Sequence, residues 1–411
     1  MSDSFSASVE VRYGWVVVWA SLVLNAIALG APTFLFVALK PLAADLGGGE
    51  RWVPSFAYSV LMIGTGIGGV AMGWWMDKRG ILQPILFGSV MICLGSLVAS
   101  QSEGRWGFWV ANGLLIGLLG KAAMIAPLVA NATRWFDRRR GLAIAIIASG
   151  QGLAGAVWPT VFGHLERAVG WRETYLYYAG FAAVVMLPLC WLIRPKPPAP
   201  PPGPIRLAAA RGSKVLEWPP ELVQGAMWLA VIGCCGAMAM PIVHLVSHTS
   251  DLGYAKERGE EILSVLMVAG FFSRIAFGML SDRIGAAPTL LIGSACQLVM
   301  MVVFAMVESL TGLYVAALLF GLGFAGIMPC YPLLLRLWFP VSEIGWRVGA
   351  QYMFAGAGMA IGGTLAGYIH DVTGSYAPAF LSGVAFNAMN FLLIAMLHMR
   401  SRSLGLSPRA V

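Results

Sequence analysis

Twelve apolar stretches, each near the roughly 20 residues that a helix needs to cross a bilayer, leave this chain few ways to fold. They run 15–39, 53–76, 81–100, 106–130, 142–164 and 174–193, then 226–246, 262–280, 288–307, 312–335, 348–369 and 378–397. Six precede the midpoint and six follow it. Only 11% of the 411 residues are charged and 58% are hydrophobic, whereas soluble domains carry roughly 25% charged residues. The composition therefore predicts an all-α, multi-pass membrane protein of twelve transmembrane helices.

The two sets of six are related. Gly73-Trp74-Trp75-Met76-Asp77-Lys78-Arg79-Gly80 returns 205 positions later as Gly278-Met279-Leu280-Ser281-Asp282-Arg283-Ile284-Gly285, each time between two apolar runs. A fainter echo pairs Trp135-Phe136 with Trp338-Phe339 at an offset of 203. Between the sets, 195–204 is dominated by proline, which enforces an extended polyproline II spacer. The expected organisation is a six-helix half at 1–194, a cytoplasmic linker at 195–222 and a second half at 223–411.

Charge fixes the expected orientation. With the N-terminus inside, 18 Lys and Arg lie on the inner side and 7 on the outer, the positive-inside pattern that places both termini in the cytoplasm. This asymmetry, rather than a nucleic-acid surface, accounts for the formal net charge of +8. The polar opening 1–10 has no basic n-region leading into a short apolar core, so no removable signal peptide is expected. All six cysteines fall inside apolar stretches, where a thiol behaves as a small hydrophobe, and their spacing suggests neither a disulfide framework nor a metal site.

Of the 27 Lys and Arg, the remaining two lie within spans. Arg274 stands about 12 Å of helix rise from Asp282, and Lys121 roughly 20 Å from Arg134, so both fall deep in the bilayer. Intramembrane charges are costly, face cavities and usually mark substrate pathways. No Asp or Glu lies near the centre of any stretch, so the expected cavity is net positive and suited to an anion, with arginine the side chain best shaped to grip a carboxylate in a bidentate manner. Asn25, Pro32, Thr33, Gln151, His244, Tyr331 and Tyr352 are softer candidates for its lining. His244 and His248 have metal-compatible spacing, but no third ligand is near in sequence, and no metal or cofactor is expected. Gly150-Gln151-Gly152-Leu153-Ala154-Gly155 matches a dinucleotide fingerprint in letters only, since it sits inside an apolar helix with no strand before it. No pairing of nucleophile and base suggests an enzyme.

The paired loop between apolar helices resembles the major facilitator superfamily over essentially the whole chain, which implies two halves rocking about a central site. Within it, Tyr13-Gly14-Trp15, Pro32, the run Arg134-Trp135-Phe136-Asp137-Arg138-Arg139-Arg140-Gly141 and Ser273-Arg274 resemble bacterial monocarboxylate transporters and the oxalate:formate antiporters. The resemblance implies that Arg274 binds the substrate carboxylate and that the loops of Gly73, Asp77, Arg79, Gly278, Asp282 and Arg283 control the conformational change. The chain departs from these families at Gly270, where animal monocarboxylate transporters carry Asp, at Thr33, where they carry Lys, and near Ala355, where the antiporters carry a second cation.

The expected function is secondary active transport of small organic anions, monocarboxylates such as lactate or pyruvate, coupled to protons. Arg274, Lys121, Thr33, Asn25, Gln151, His244, Tyr331 and Tyr352 are the expected substrate-binding set, and Lys121 and His244 the candidates for proton handling. The expected setting is a monomer in the lipid bilayer of a bacterial inner membrane, with a small organic acid and protons as its partners. A dicarboxylate or aromatic-acid transporter, an anion exchanger, and a transporter-like substrate sensor remain as alternatives.

Overall fold

A computed structural model describes residues 10–47, 52–198 and 215–405; residues 199–214 of the expected linker lie outside them. The described helices fall into twelve successive segments. Nine runs are long and apolar enough to cross a membrane. Arg140–Leu192, the longest, divides into two at Gly170, whose φ is 82°. The tenth segment is carried in two pieces, Leu310–Phe324 and Cys330–Trp338. The eleventh, Ile344–Thr373, is less apolar because glycine takes up seven of its 30 positions. Within the described residues there is no β-strand, only an isolated bridge between Val215 and Trp218. Spanning structures in lipid must satisfy their own backbone, which a helix does within one segment.

The chain clusters into two compact units. Unit 1 comprises Met1–Asp137, Ile146–Pro201 and Val341–Met353; unit 2 comprises Arg138–Ala145, Pro202–Pro340 and Phe354–Val411.

Unit 1 is held by aromatic side chains. The first segment, predicted as one span, is interrupted at Leu29 between Arg12–Ala28 and Gly30–Val37. Pro32 has no N–H to carry the helix through this point. Nearby carbonyls find donors elsewhere: the Trp158 indole donates to Ala26 O at 2.8 Å and the Tyr178 hydroxyl to Ile27 O at 2.7 Å. Trp158 stacks on Phe162, which meets Phe34, itself edge-on to Tyr175. At one end, Asp45 accepts from Trp171 Nε1 and Arg172 Nη1, both at 2.8 Å. The indole bond first, then the guanidinium, holds its carboxyl below the usual carboxylate range.

Unit 2 is held by amides. Tyr331 donates to Asn390 Oδ1 at 2.7 Å, Asn390 donates to Ser294 Oγ and Asn387 Oδ1, and Asn387 donates back to Ser294 O at 2.7 Å. Gln297 Nε2 donates to Cys234 O at 3.1 Å. In an environment without water, closed networks of this kind tie helices together, at a modest ~0.6 to 2 kcal/mol per bond.

Candidate functional site

Besides the first segment, two further helices predicted as continuous spans are interrupted near their middles. The fourth passes from α-helix, Arg105–Val110, to π-helix, Ala111–Gly120, then to one 3₁₀ turn, Lys121–Ala123, and restarts as Ala126–Trp135. The tenth stops at Phe324 and restarts at Cys330. The two gaps differ by about one repeat offset, so the internal duplication extends to them. Irregular backbone at this depth survives only where protein buries it or it lines a water-filled cavity, and transporters build substrate sites from such discontinuous helices.

Each interruption is braced by the helix that ends in the repeated loop. In unit 2, Ser273 Oγ of Glu257–Ile284 donates to Leu322 O at 2.6 Å. In unit 1, Thr65 Oγ1 of Val53–Arg79 bonds its own Leu61 O at 2.8 Å and reaches Gly117 O at 3.5 Å. Residues 117 and 322 are 205 apart, the offset of the loop itself. Leu322 O belongs to a turn that loses its α-helical partner and receives the Ser273 hydroxyl instead, whereas Gly117 O keeps the Lys121 N–H and has the Thr65 hydroxyl beside it.

Arg274 is rooted beside the second interruption. Gly270 and Phe277, one turn on either side, share its helix face. The Phe277 ring lies directly against Gly326, and a Cβ at Gly270 would stand 3.1 Å from Ala325 Cβ. Helix eight therefore presents its Arg274 face at the break, and the tenth segment crowds Gly270 closely enough that a longer side chain there requires Ala325 to move. The absence of a carboxylate at Gly270 thus has a packing counterpart. Arg274 itself is half-buried.

Lys121 sits on the interruption of the fourth segment. Its Nζ lies 3.9 Å from Met62 Sδ, a weak acceptor, and its carbonyl accepts from Met124 N at 2.9 Å. The position 205 further on is Gly326, so the two cations are not repeat equivalents: one rides on the broken helix and the other on the bracing helix.

The remaining candidates separate. Asn25, Lys121, Thr33, Gln151 and Tyr352 belong to unit 1, and Arg274, His244 and Tyr331 to unit 2. Asn25 is buried and donates to Ile147 O at 3.1 Å, beside Gly150 and thus next to Gln151, which is exposed. Thr33 Oγ1 bonds Leu29 O at 2.7 Å at the interruption of the first segment. Tyr352 is half-buried. Tyr331 is fully buried with its hydroxyl engaged by Asn390. His244 turns toward Tyr376 and Gly363.

The paired aspartates cap helices. Asp77 takes Gly345 N and Trp346 N, both at 3.1 Å, together with Arg134 Nη2 at 2.6 Å. Asp282 takes Gly141 N at 2.7 Å and Leu142 N at 3.0 Å. Negative charge at a helix start complements its free N–H groups and dipole. Glycine is required at both capped positions: a Cβ at Gly141 would stand 2.9 Å from Asp282 Oδ1, and one at Gly345 2.9 Å from Asp77 Oδ1. Gly73 and Gly278 are buried at these crossings, while Arg79 and Arg283 are exposed.

A family model described as Major Facilitator Superfamily matches residues 18–332 and 237–410. Monocarboxylate transporter 13 of Bos taurus is 27% identical over 383 residues, spanning 91% of this chain and 87% of that protein. Monocarboxylate transporter 11 of Homo sapiens is 26% identical over 403 residues, spanning 93% and 83%. Among solved structures, a bacterial homologue of the iron transporter ferroportin in its outward-facing state matches with a TM-score of 0.73 at 15% identity, covering 95% of this chain and 100% of that one.

Proposed function

Because the chain belongs to the Major Facilitator Superfamily, a family of multi-pass membrane transporters and not enzymes, we propose that it carries small organic monoanions such as lactate or pyruvate, together with a proton, by alternating access. The observation that carries this reading is Arg274, a cation at mid-helix beside the interrupted tenth segment. Its guanidinium offers a planar fork to a carboxylate. The monocarboxylate transporters to which the chain is similar over most of its length support the substrate class. In this account the halves 1–194 and 223–411 move about the site as the linker 195–222 accommodates them.

Lys121 is the second determinant. An anion entering near its ammonium neutralises a charge that the surrounding apolar side chains cannot, so substrate loading and protonation of Lys121 favour each other. Lys121→Met, which keeps length and packing, is expected to remove gradient-driven transport while leaving the yield of folded protein unchanged, as measured by size-exclusion chromatography and uptake into proteoliposomes. Wild-type transport by the variant would make Lys121 a structural residue. For the substrate class, a thermal-shift screen of purified protein against mono- and dicarboxylates is expected to select monocarboxylates; stabilisation by dicarboxylates alone would move the assignment to them.

Orientation has its own test. The charge asymmetry supports a cytoplasmic side for both termini and the linker. An impermeant thiol reagent added outside intact cells is expected to label Glu308→Cys and to spare Lys196→Cys, both at exposed positions. The opposite pattern would invert the topology.

A further inference from the structure

Carrying the repeat offset past the loops reaches a second pair of equivalent positions, where the two halves differ in chemistry. In unit 1 the turn at Gly170 (φ 82°) leads into Trp171 and Arg172, which together hold Asp45. In unit 2 the turn at Gly374 (φ 72°) leads into Tyr376, 205 after Trp171, and Asp251 stands 206 after Asp45. Ala377 occupies the place of Arg172, and His370 stands against Asp251 instead. His370 Nε2 lies 3.1 Å from Asp251 Oδ2 and its Nδ1 3.7 Å from Asp371 Oδ1, with its ring stacked on Tyr376 at 4.2 Å between centroids. A clamp built from a permanent cation in the first half is built from a titratable one in the second.

The cluster reaches inward. Tyr376 Oη lies 3.2 Å from His244 Nδ1, and His244 Nε2 lies 2.8 Å from Gly363 O. A carbonyl only accepts, so Nε2 carries the hydrogen, and neutral His244 receives the Tyr376 hydroxyl hydrogen at Nδ1. A proton arriving at His244 therefore lands on Nδ1 and reverses that bond. His244 is seven residues before Asp251 on the same helix, about 10 Å deeper. His248, 8% exposed, stands edge-on to Tyr376 and Phe380, and its Nε2 is buried without a hydrogen bond. Asp251 and His370 are the charged or titratable groups that act on His248, and Asp251 and Asp371 those that act on Tyr376; Phe380, from the twelfth segment, carries none.

We propose that this histidine–tyrosine cluster is the extracytoplasmic port for the coupled proton. Hydronium arriving beside Asp251, His370 and Asp371 gives its proton to the Tyr376 oxygen as Tyr376 releases its own hydroxyl proton to His244 Nδ1, leaving water outside and a charged His244 within. The port rests on the proton-coupled reading above, and its failure is separable from the failure of that reading. Proteoliposomes taking up labelled pyruvate under an inward proton gradient test the coupled reading first, with the intact protein: indifference to the gradient ends both. Tyr376→Phe then keeps the ring against His370 but removes the hydroxyl. Gradient-driven accumulation is expected to be lost while exchange of pyruvate for pyruvate continues at the wild-type rate. Wild-type accumulation by Tyr376→Phe would overturn the port. Should exchange also fail through misfolding, His370→Gln decides, since it leaves Tyr376 and His244 in place: a flattened dependence on external pH upholds the port, and an unchanged one refutes it.

Discussion

Arg274→Lys is expected to weaken substrate binding by roughly 10- to 150-fold, the equivalent of losing one charge-assisted hydrogen bond worth about 1.5–3 kcal/mol. The charge survives the substitution, so any effect of net potential is retained. What is lost is the fixed fork that meets both carboxylate oxygens at once, for which an ammonium on a flexible stem is a poor replacement. The flanking contacts of Gly270 with Ala325 and Phe277 with Gly326 are independent of the side chain at 274, so folding is expected to survive. Titration of pyruvate against the purified variant by calorimetry checks this. An affinity equal to the wild type's for every transported acid would remove Arg274 from the site.

Asp77→Asn is expected to be the most destabilising of the conservative changes. The carboxylate side chain is 3% exposed and serves three donors: Gly345 N, Trp346 N and Arg134 Nη2. An amide keeps one acceptor and turns a donor toward the others, leaving the guanidinium of Arg134, 17% exposed, without its partner charge. Breaking one side of a buried ion pair costs about 3–5 kcal/mol. A clear fall in the thermal unfolding midpoint in detergent and a matching loss of uptake are expected. Wild-type stability in Asp77→Asn would mean that the cap is dispensable.

Much of the architecture was legible in the chain. The apolar stretches anticipated a nearly all-helical membrane protein, because hydropathy depends on side-chain composition along one dimension. The interruptions at Lys121–Ile125 and Ala325–Pro329 were not legible that way. Hydropathy counts apolar side chains and is blind to whether a backbone carbonyl keeps its helical partner, so Leu322 looks like any other apolar position until Ser273 is seen beside it. Pro127 and Pro329 stand at the helix restarts that follow these gaps.

Polar residues were harder still. Asn25, Tyr331 and His244 each have a hydrogen-bonding group and each lies in an apolar stretch, but their partners are Ile147, Asn390 and Gly363, more than 50 residues away in every case. Composition marks such a side chain as notable without saying whether its bond closes within the fold or waits for a ligand. Lys121 and Arg274 stood out because a charge in lipid is costly enough to demand a purpose. The cluster of His370 and Tyr376 was not legible either, since its bonds to Asp251 and His244 join residues 119 and 132 positions apart.

Proton-coupled transport of a monocarboxylate is the centre of this account, and purified protein in sealed proteoliposomes tests it with no variant at all. With labelled pyruvate outside and an inward proton gradient, the label is expected to accumulate above its external concentration and to run down when a protonophore collapses the gradient. Uptake that ignores the gradient and requires an organic acid inside the vesicle would instead identify an anion exchanger and contradict the coupled mechanism.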